Sequence, residues 1–348
     1  MLIYWLLFTY FALGVLIRRE RDDRGLSLLL LGVGGVFLLL AIGLRFHVGG
    51  DWGSYERMFA LAGYRDAGEM LRYGDPAYQL LNSTVQLLEW PFWVVNLICA
   101  AIFTWGLWRF ARQQDDPWLA MLIAVPYLVI VVSMGYTRQA VAIGIVMMGV
   151  TAIQRGASVV RFALYILVAA LFHKTAVVAM LLVALTGRRN NLLNLLVVGS
   201  SLVLLYDSLL QDSMAELMRN YVDQQYASQG AAIRVSMSLV PAALFLIRRR
   251  HFNFSPQSDL LWRNFSIASV VLLVALLVSP SSTAVDRIAL YLLPLQLAIL
   301  SQVPRVLAPG TFGRVLVVGY AFAIEFVWLN FADNANYWLP YSSYLWRA

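Results

Sequence analysis

Residues 25–55 read GLSLLLLGVGGVFLLLAIGLRFHVGGDWGSY, and this stretch decides the fold. Twenty residues without a charge, Gly25 to Leu44, match the ~20 needed to cross a bilayer as a helix. The run stops at Arg45, and Gly49, Gly50 and Asp51 then turn the chain. Ionisable groups at a hydrocarbon boundary are expensive unless they are paired or line a wet cavity, so they mark a functional site by default.

The same pattern recurs along all 348 residues, of which 61% are hydrophobic and only 13% charged. A soluble domain carries roughly 25% charged residues. The expected fold is therefore all-α: a single polytopic transmembrane helix bundle over residues 1–348. Twelve spans are expected, at 2–17, 25–44, 91–109, 118–134, 138–154, 159–172, 174–187, 192–208, 235–247, 262–279, 285–303 and 311–330. The pair around His173 is too long for one upright span and short for two, so a broken or re-entrant helix is the rival reading there. The N-terminus lacks a basic n-region and a small-residue cleavage site, and is read as a retained first span.

Basic residues set the orientation, because cytoplasmic connections are enriched in them. Alternate connections hold sixteen of the 26 basic residues but six of the nineteen acids. Both termini are then expected in the periplasm. Residues 45–90 and 207–234 become outer loops, each with an amphipathic helix. In the first, Gln79, Asn82, Ser83, Gln86 and Glu89 share one stripe after Pro76, with Tyr78, Leu81, Val85 and Leu88 on others. The tail, NYWLPYSSYLW, reads as an interfacial aromatic belt. The net charge of +7 is scattered and not clustered, so no nucleic-acid partner is implied. Cys99 is the only cysteine, which excludes a disulfide within the chain.

The topology brings several charged positions to one outer side. Arg45 closes a span, and Asp51 follows with Tyr55 one helical turn on; the plain alternatives are a snorkelling arginine and a helix cap. Arg138 with Gln139 opens a span, where a planar guanidinium suits phosphate oxygens or simply fixes helix depth. His173 and Lys174, the only lysine, interrupt an apolar run. An imidazole can act as a general base at neutral pH, and the ammonium can neutralise phosphate; a satisfied polar break is the plain alternative. Asp286-Arg287 opens another span with Tyr291 a turn later, as a site or as an interhelical ion pair. Glu325 lies inside the last span and needs a partner, for which Arg287 or Arg138 would serve. Three histidines on separate segments offer no metal-ligand spacing, and no nucleotide or redox fingerprint is present, so neither metal nor cofactor is expected.

Cations around an outward cavity imply a polyanion at headgroup depth, and nearby carboxylates with a histidine imply proton abstraction. The motifs RFHVGGDWGSY, DPAYQLL, TRQAVA, FHKTA and DRIALY, in this order, resemble the EpsG-like branch of the Wzy-type polysaccharide polymerases. Trp52 stands where a Tyr or Phe is expected after the aspartate. The resemblance implies a metal-independent glycosyltransferase of the bacterial inner membrane. Its reaction would polymerise undecaprenyl-pyrophosphate-linked repeat units on the outer face, alongside the flippase and the chain-length or export proteins of its pathway. On that reading Arg45, Arg138, Lys174 and Arg287 hold pyrophosphate charge. His173 is the first candidate for the base and Asp51 the second, with Tyr55, Gln139, Asp286 and Tyr291 in support. A flippase of lipid-linked sugars is the main rival, but it should show internal repeats and midplane polar groups. A membrane acyltransferase using His173 is a third reading.

Overall fold

The computed structural model describes residues 1–17, 24–64, 75–184, 196, 199–200, 230–278 and 282–346. Among these the chain is all-α, and its one extended pairing is an isolated antiparallel bridge between Arg45 and Ser343. Among the described residues six helices are long and apolar enough to cross a membrane: Arg24–Gly43, Trp93–Ala111, Thr137–Gln154, Ala231–His251, Pro256–Val278 and Thr311–Phe331. They coincide with six of the expected spans. Shorter apolar helices, Leu2–Ile17, Pro117–Ser133 and Val159–Phe172, fall on three more. The expected span at 192–208 and the amphipathic helix within 207–234 lie outside the described residues, apart from 196, 199–200 and 230–234.

The described chain divides into two compact units. The first comprises residues 1–145, 171–173 and 300–348; the second comprises 146–170 and 174–299. In the first unit, α1 (Leu2–Ile17) packs on α6 (Pro117–Ala124) and on α15 (Thr311–Phe331), and α2 (Arg24–Gly43) packs on α5 (Trp93–Ala111). Two short helices, α3 (Trp52–Ala62) and α4 (Pro76–Leu87), pack on one another after the Arg45 turn. The α4 helix forms where expected, with Pro76 in its first turn, a position where a missing N–H costs nothing. Its buried side holds Gln79 and Asn82 as well as Tyr78 and Val85, while Leu80 and Leu87 point outward.

Beyond α6 the helix widens into a π-helical stretch, Val125–Ser133, which contains Pro126. Carbonyls in it and just after it accept from side chains: Ile130 O from Trp338 Nε1 at 2.8 Å and Met134 O from Arg45 Nε at 3.1 Å. The C-terminal segment therefore differs from the aromatic belt read in the sequence. Trp338 is buried and packs against Trp328, and Gly135 lies so close to its ring that a Cβ there would collide. Tyr4 donates to the Trp338 carbonyl, Tyr341 to Ala41 O and Ser343 Oγ to Leu44 O, each at 2.8 Å. Backbone groups at membrane depth must find partners within the protein, and the tail supplies them. Its flanks, Tyr337 at one end and Leu345 with Trp346 at the other, remain exposed as belt residues would be.

Helix α7 (Thr137–Gln154) begins in the first unit and ends in the second. Its Gly144 crosses α5 at Gly106 and Phe103, where a Cβ would sit 2.8 Å from the Phe103 Cα. Small residues at such crossings let membrane helices approach backbone to backbone. In the second unit α10 (Ala231–Arg248) lies along α11 (Pro256–Val278), and both meet α12 (Ser282–Ala289). The expected span at 285–303 is broken: α12 gives way to a 3₁₀ turn, Leu290–Leu292, before α13 (Leu293–Leu300), after which the short α14 (Val303–Val306) follows. Pro294 has no N–H to return to Leu290, which explains a break at that turn.

Candidate functional site

The turn after α2 is built around Arg45, which is 1% exposed. Its Nε donates to Val48 O at 3.2 Å and to Met134 O at 3.1 Å. Nη1 donates to Ile42 O at 2.5 Å, and Nη2 to Thr137 Oγ1 at 2.7 Å and Asn96 Oδ1 at 3.5 Å. One guanidinium thus ties α2, α5, the π-helix and the start of α7 together. Gly49 completes the turn with φ +106°, its N–H donating to Tyr337 O at 2.9 Å, and a Cβ there would collide with Met134 O. A side chain would be excluded there on both counts. The arginine expected to greet an anion is enclosed by protein acceptors.

Asp51 sits at the N-cap position of α3 without a side-chain cap bond, half-buried, and its charge acts on Tyr55. Tyr55 and Tyr78 are both buried, 5.6 Å apart edge to face, and the Arg138 guanidinium lies 5.7 Å and 6.0 Å from their ring centres. Burial pushes the Tyr55 phenol up to about 12, raised further by Asp51 and eased by the neighbouring Arg138 charge and its hydrogen bond. Burial likewise raises Tyr78 well above the ordinary phenol range. Both hydroxyls are neutral at neutral pH and act as walls, not proton acceptors.

Arg138, in the first turn of α7, donates from Nη1 to Asp75 Oδ2 at 2.6 Å. His173 Nδ1 approaches the same oxygen, at 3.6 Å. The histidine ends α8 (Val159–Phe172): it is the single non-helical residue before a 3₁₀ turn, Lys174–Val177, and α9 (Val178–Ala184). Both ring nitrogens and the Arg138 Nε are buried without a hydrogen-bond partner among the described residues. Asp75, Arg138, His173, Tyr55 and Tyr78 all belong to the first unit. Buried polar atoms normally have partners, and exceptions concentrate where a ligand or water binds. Gln139, the neighbour of Arg138, is also buried.

Asp75 escaped the sequence reading because an aspartate before Pro76 at a helix start reads as a cap. Its carboxylate makes no cap bond and turns instead to Arg138. The only hint was its place in the DPAYQLL motif. Glu325 shows the converse. It is fully buried in α15 and neither carboxylate oxygen has a hydrogen-bond partner among the described residues, so the pairing expected with Arg138 is replaced by that of Asp75.

In the second unit Asp286 is ion-paired with Arg234 of α10, joining α10 to α12 beside an apolar cluster of Val235, Val285 and Ala289. That is the interhelical pairing weighed for Asp286, with a partner the sequence did not single out. Arg287 is exposed on α12, and the Tyr291 hydroxyl is 3.2 Å from Thr175 Oγ1. Lys174 is half-buried in the 3₁₀ turn. Among the described residues no group of three or more His, Cys, Asp or Glu is arranged to hold a metal ion.

The family model of the EpsG family matches residues 28–343. The chain belongs to the EpsG family. No curated protein and no solved structure matches it. Membership ties this multi-pass membrane helix bundle to polysaccharide biosynthesis, as a protein of polymerisation pathways. The match takes in the Arg45 turn, Asp75, Arg138 and His173 alike. It also takes in the bridge from Arg45 to Ser343, so the enclosed arginine and the tail as far as Ser343 lie within the matched residues.

Proposed function

We propose that this EpsG-family chain polymerises undecaprenyl-pyrophosphate-linked oligosaccharide repeats on the outer face of the bacterial inner membrane. The growing chain moves from its lipid carrier to a hydroxyl of the incoming repeat. One observation carries this reading. A partly exposed arginine with an unbonded Nε stands beside a half-buried histidine with two unbonded ring nitrogens, where apolar helices begin and end. The reaction needs both. As the glycosidic bond to pyrophosphate breaks, negative charge develops on the leaving oxygen and is stabilised by preorganised cations. The acceptor hydroxyl must lose its proton to a base as its oxygen attacks.

Arg138 takes the pyrophosphate in the first unit; Lys174 and Arg287 are the candidate cations of the second unit. His173 is the base, Asp51 orients the acceptor sugar, and Tyr55 and Gln139 support the Arg138 side. Asp286 and Tyr291 support the cations of the second unit. Arg45 serves the site from behind, by holding the turn that carries Asp51 and the start of α7 that carries Arg138. The substrates are membrane-borne, and the flippase and chain-length or export proteins of the pathway are the expected neighbours.

The test is incubation of purified protein in lipid vesicles with undecaprenyl-pyrophosphate-linked repeats, read as a ladder on a gel. His173→Gln should lower turnover by roughly 10²–10⁴-fold, the usual worth of general-base catalysis, while lipid-linked substrate still binds. Asp51→Asn should cost less. The reverse ranking moves the base to Asp51, and a wild-type protein that makes no ladder ends the polymerase reading.

A further inference from the structure

Asp75 occupies a position that would ordinarily satisfy the first N–H groups of α4. A capping side chain stabilises a helix start, yet this one makes no such bond. Its side chain is only 5% exposed, and one oxygen, Oδ2, faces both the Arg138 Nη1 at 2.6 Å and the His173 Nδ1 at 3.6 Å. The arginine neutralises the buried charge, so the pair can persist away from water. The approach to the ring is from the Nδ1 side. Nε2, on the opposite edge, is buried and has no hydrogen-bond partner among the described residues.

We infer that Asp75 is the positioning residue of His173: its carboxylate accepts a hydrogen bond from Nδ1–H and leaves the Nε2 lone pair to act on substrate. This deepens the polymerase reading and rests on it. A histidine becomes a directed base only when one nitrogen is held as a donor, because the tautomer then fixes which nitrogen carries the lone pair. The acid of a Ser-His-Asp triad performs this service without being protonated itself. In the transfer step the O–H bond of the acceptor sugar breaks and its proton goes to Nε2. The freed oxygen pair forms the new bond to the anomeric carbon. The old bond from that carbon to the pyrophosphate oxygen breaks, and its electron pair leaves on undecaprenyl pyrophosphate, beside Arg138. The imidazolium formed at His173 faces the Asp75 carboxylate and is stabilised by it. The 3.6 Å separation is a resting distance, and such contacts commonly tighten when substrate is bound. Sharing one oxygen between Arg138 and His173 also couples the site, because pyrophosphate drawing on Arg138 leaves more of the Asp75 charge to the histidine.

The experiment has two arms. In the first, full-length protein carrying His47→Gln and His251→Gln, with ¹⁵N-labelled His173 as its only histidine, is examined by NMR in lipid nanodiscs at mildly alkaline pH. The Nδ1–H tautomer is expected, and Asp75→Asn should shift it toward Nε2–H. In the second arm, Asp75→Asn should lower kcat by roughly 10²–10⁴-fold with the KM for lipid-linked donor changed by less than a few-fold. Its combination with His173→Gln should be no slower than His173→Gln alone, as for residues that act as one unit. An Nε2–H tautomer in the unsubstituted pair, an unmoved tautomer in Asp75→Asn, or losses that multiply would overturn the assignment and leave Asp75 as a structural partner of Arg138. A protein that makes no ladder refutes the polymerase reading separately, since the tautomer is read without turnover.

Discussion

Replacing Arg45 by lysine tests what this arginine does, because binding and folding roles separate there. The guanidinium reaches five acceptors, Val48 O, Met134 O, Ile42 O, Asn96 Oδ1 and Thr137 Oγ1, from a side chain that is 1% exposed. An ammonium has three donors, so at least two acceptors lose their partner in Arg45→Lys. Hydrogen bonds to a charged group contribute ≈ 1.5–3 kcal/mol each, which makes the loss about 3–6 kcal/mol. That is a large share of the roughly 5–15 kcal/mol that separates folded from unfolded chains. At roughly 2–4 °C per kcal/mol the midpoint should fall by on the order of 10 °C. The assay is thermal unfolding of the detergent-purified protein by tryptophan fluorescence, paired with polymerisation well below the midpoint. Arg45→Lys should melt early, and folded protein should retain its affinity for lipid-linked donor. Wild-type melting with lost donor affinity would refute the argument and return Arg45 to the pyrophosphate, as the sequence alone suggests.

Three further outcomes are expected. Arg138→Lys should polymerise almost as poorly as Arg138→Ala, because an ammonium cannot grip Asp75 and two phosphate oxygens in one plane; wild-type turnover would make Arg138 a depth anchor. In a Cys99→Ala background, Tyr64→Cys, at a site 89% exposed, should react with an impermeant thiol reagent in intact cells, whereas Arg248→Cys should need permeabilisation. The reverse pattern inverts the topology. Gly144→Val should destabilise by about 1–3 kcal/mol through overpacking at the α5–α7 crossing, seen as a lower unfolding midpoint, and an unchanged midpoint would show that the two backbones can part.

The membrane bundle was legible in the sequence because its causes are local. Twenty uncharged residues between Arg24 and Arg45 can form only a helix in lipid. Arg138 and His173 stood out for the same reason, as ionisable groups at the ends of apolar runs. Which partner each of them takes is a property of space and not of spacing. Asp75 and His173 are about a hundred residues apart and meet at 3.6 Å, and a cap aspartate looks the same in sequence whether or not it caps. Arg45 appears at a boundary in either reading; only the tertiary structure shows five acceptors closing around it. The tail carries the same lesson. NYWLPYSSYLW has the composition of an interfacial belt, but a carbonyl of the π-helical stretch Val125–Ser133 accepts from the buried Trp338. Composition decided that these residues stay near the membrane, and backbone acceptors elsewhere in the fold decided which of them became core.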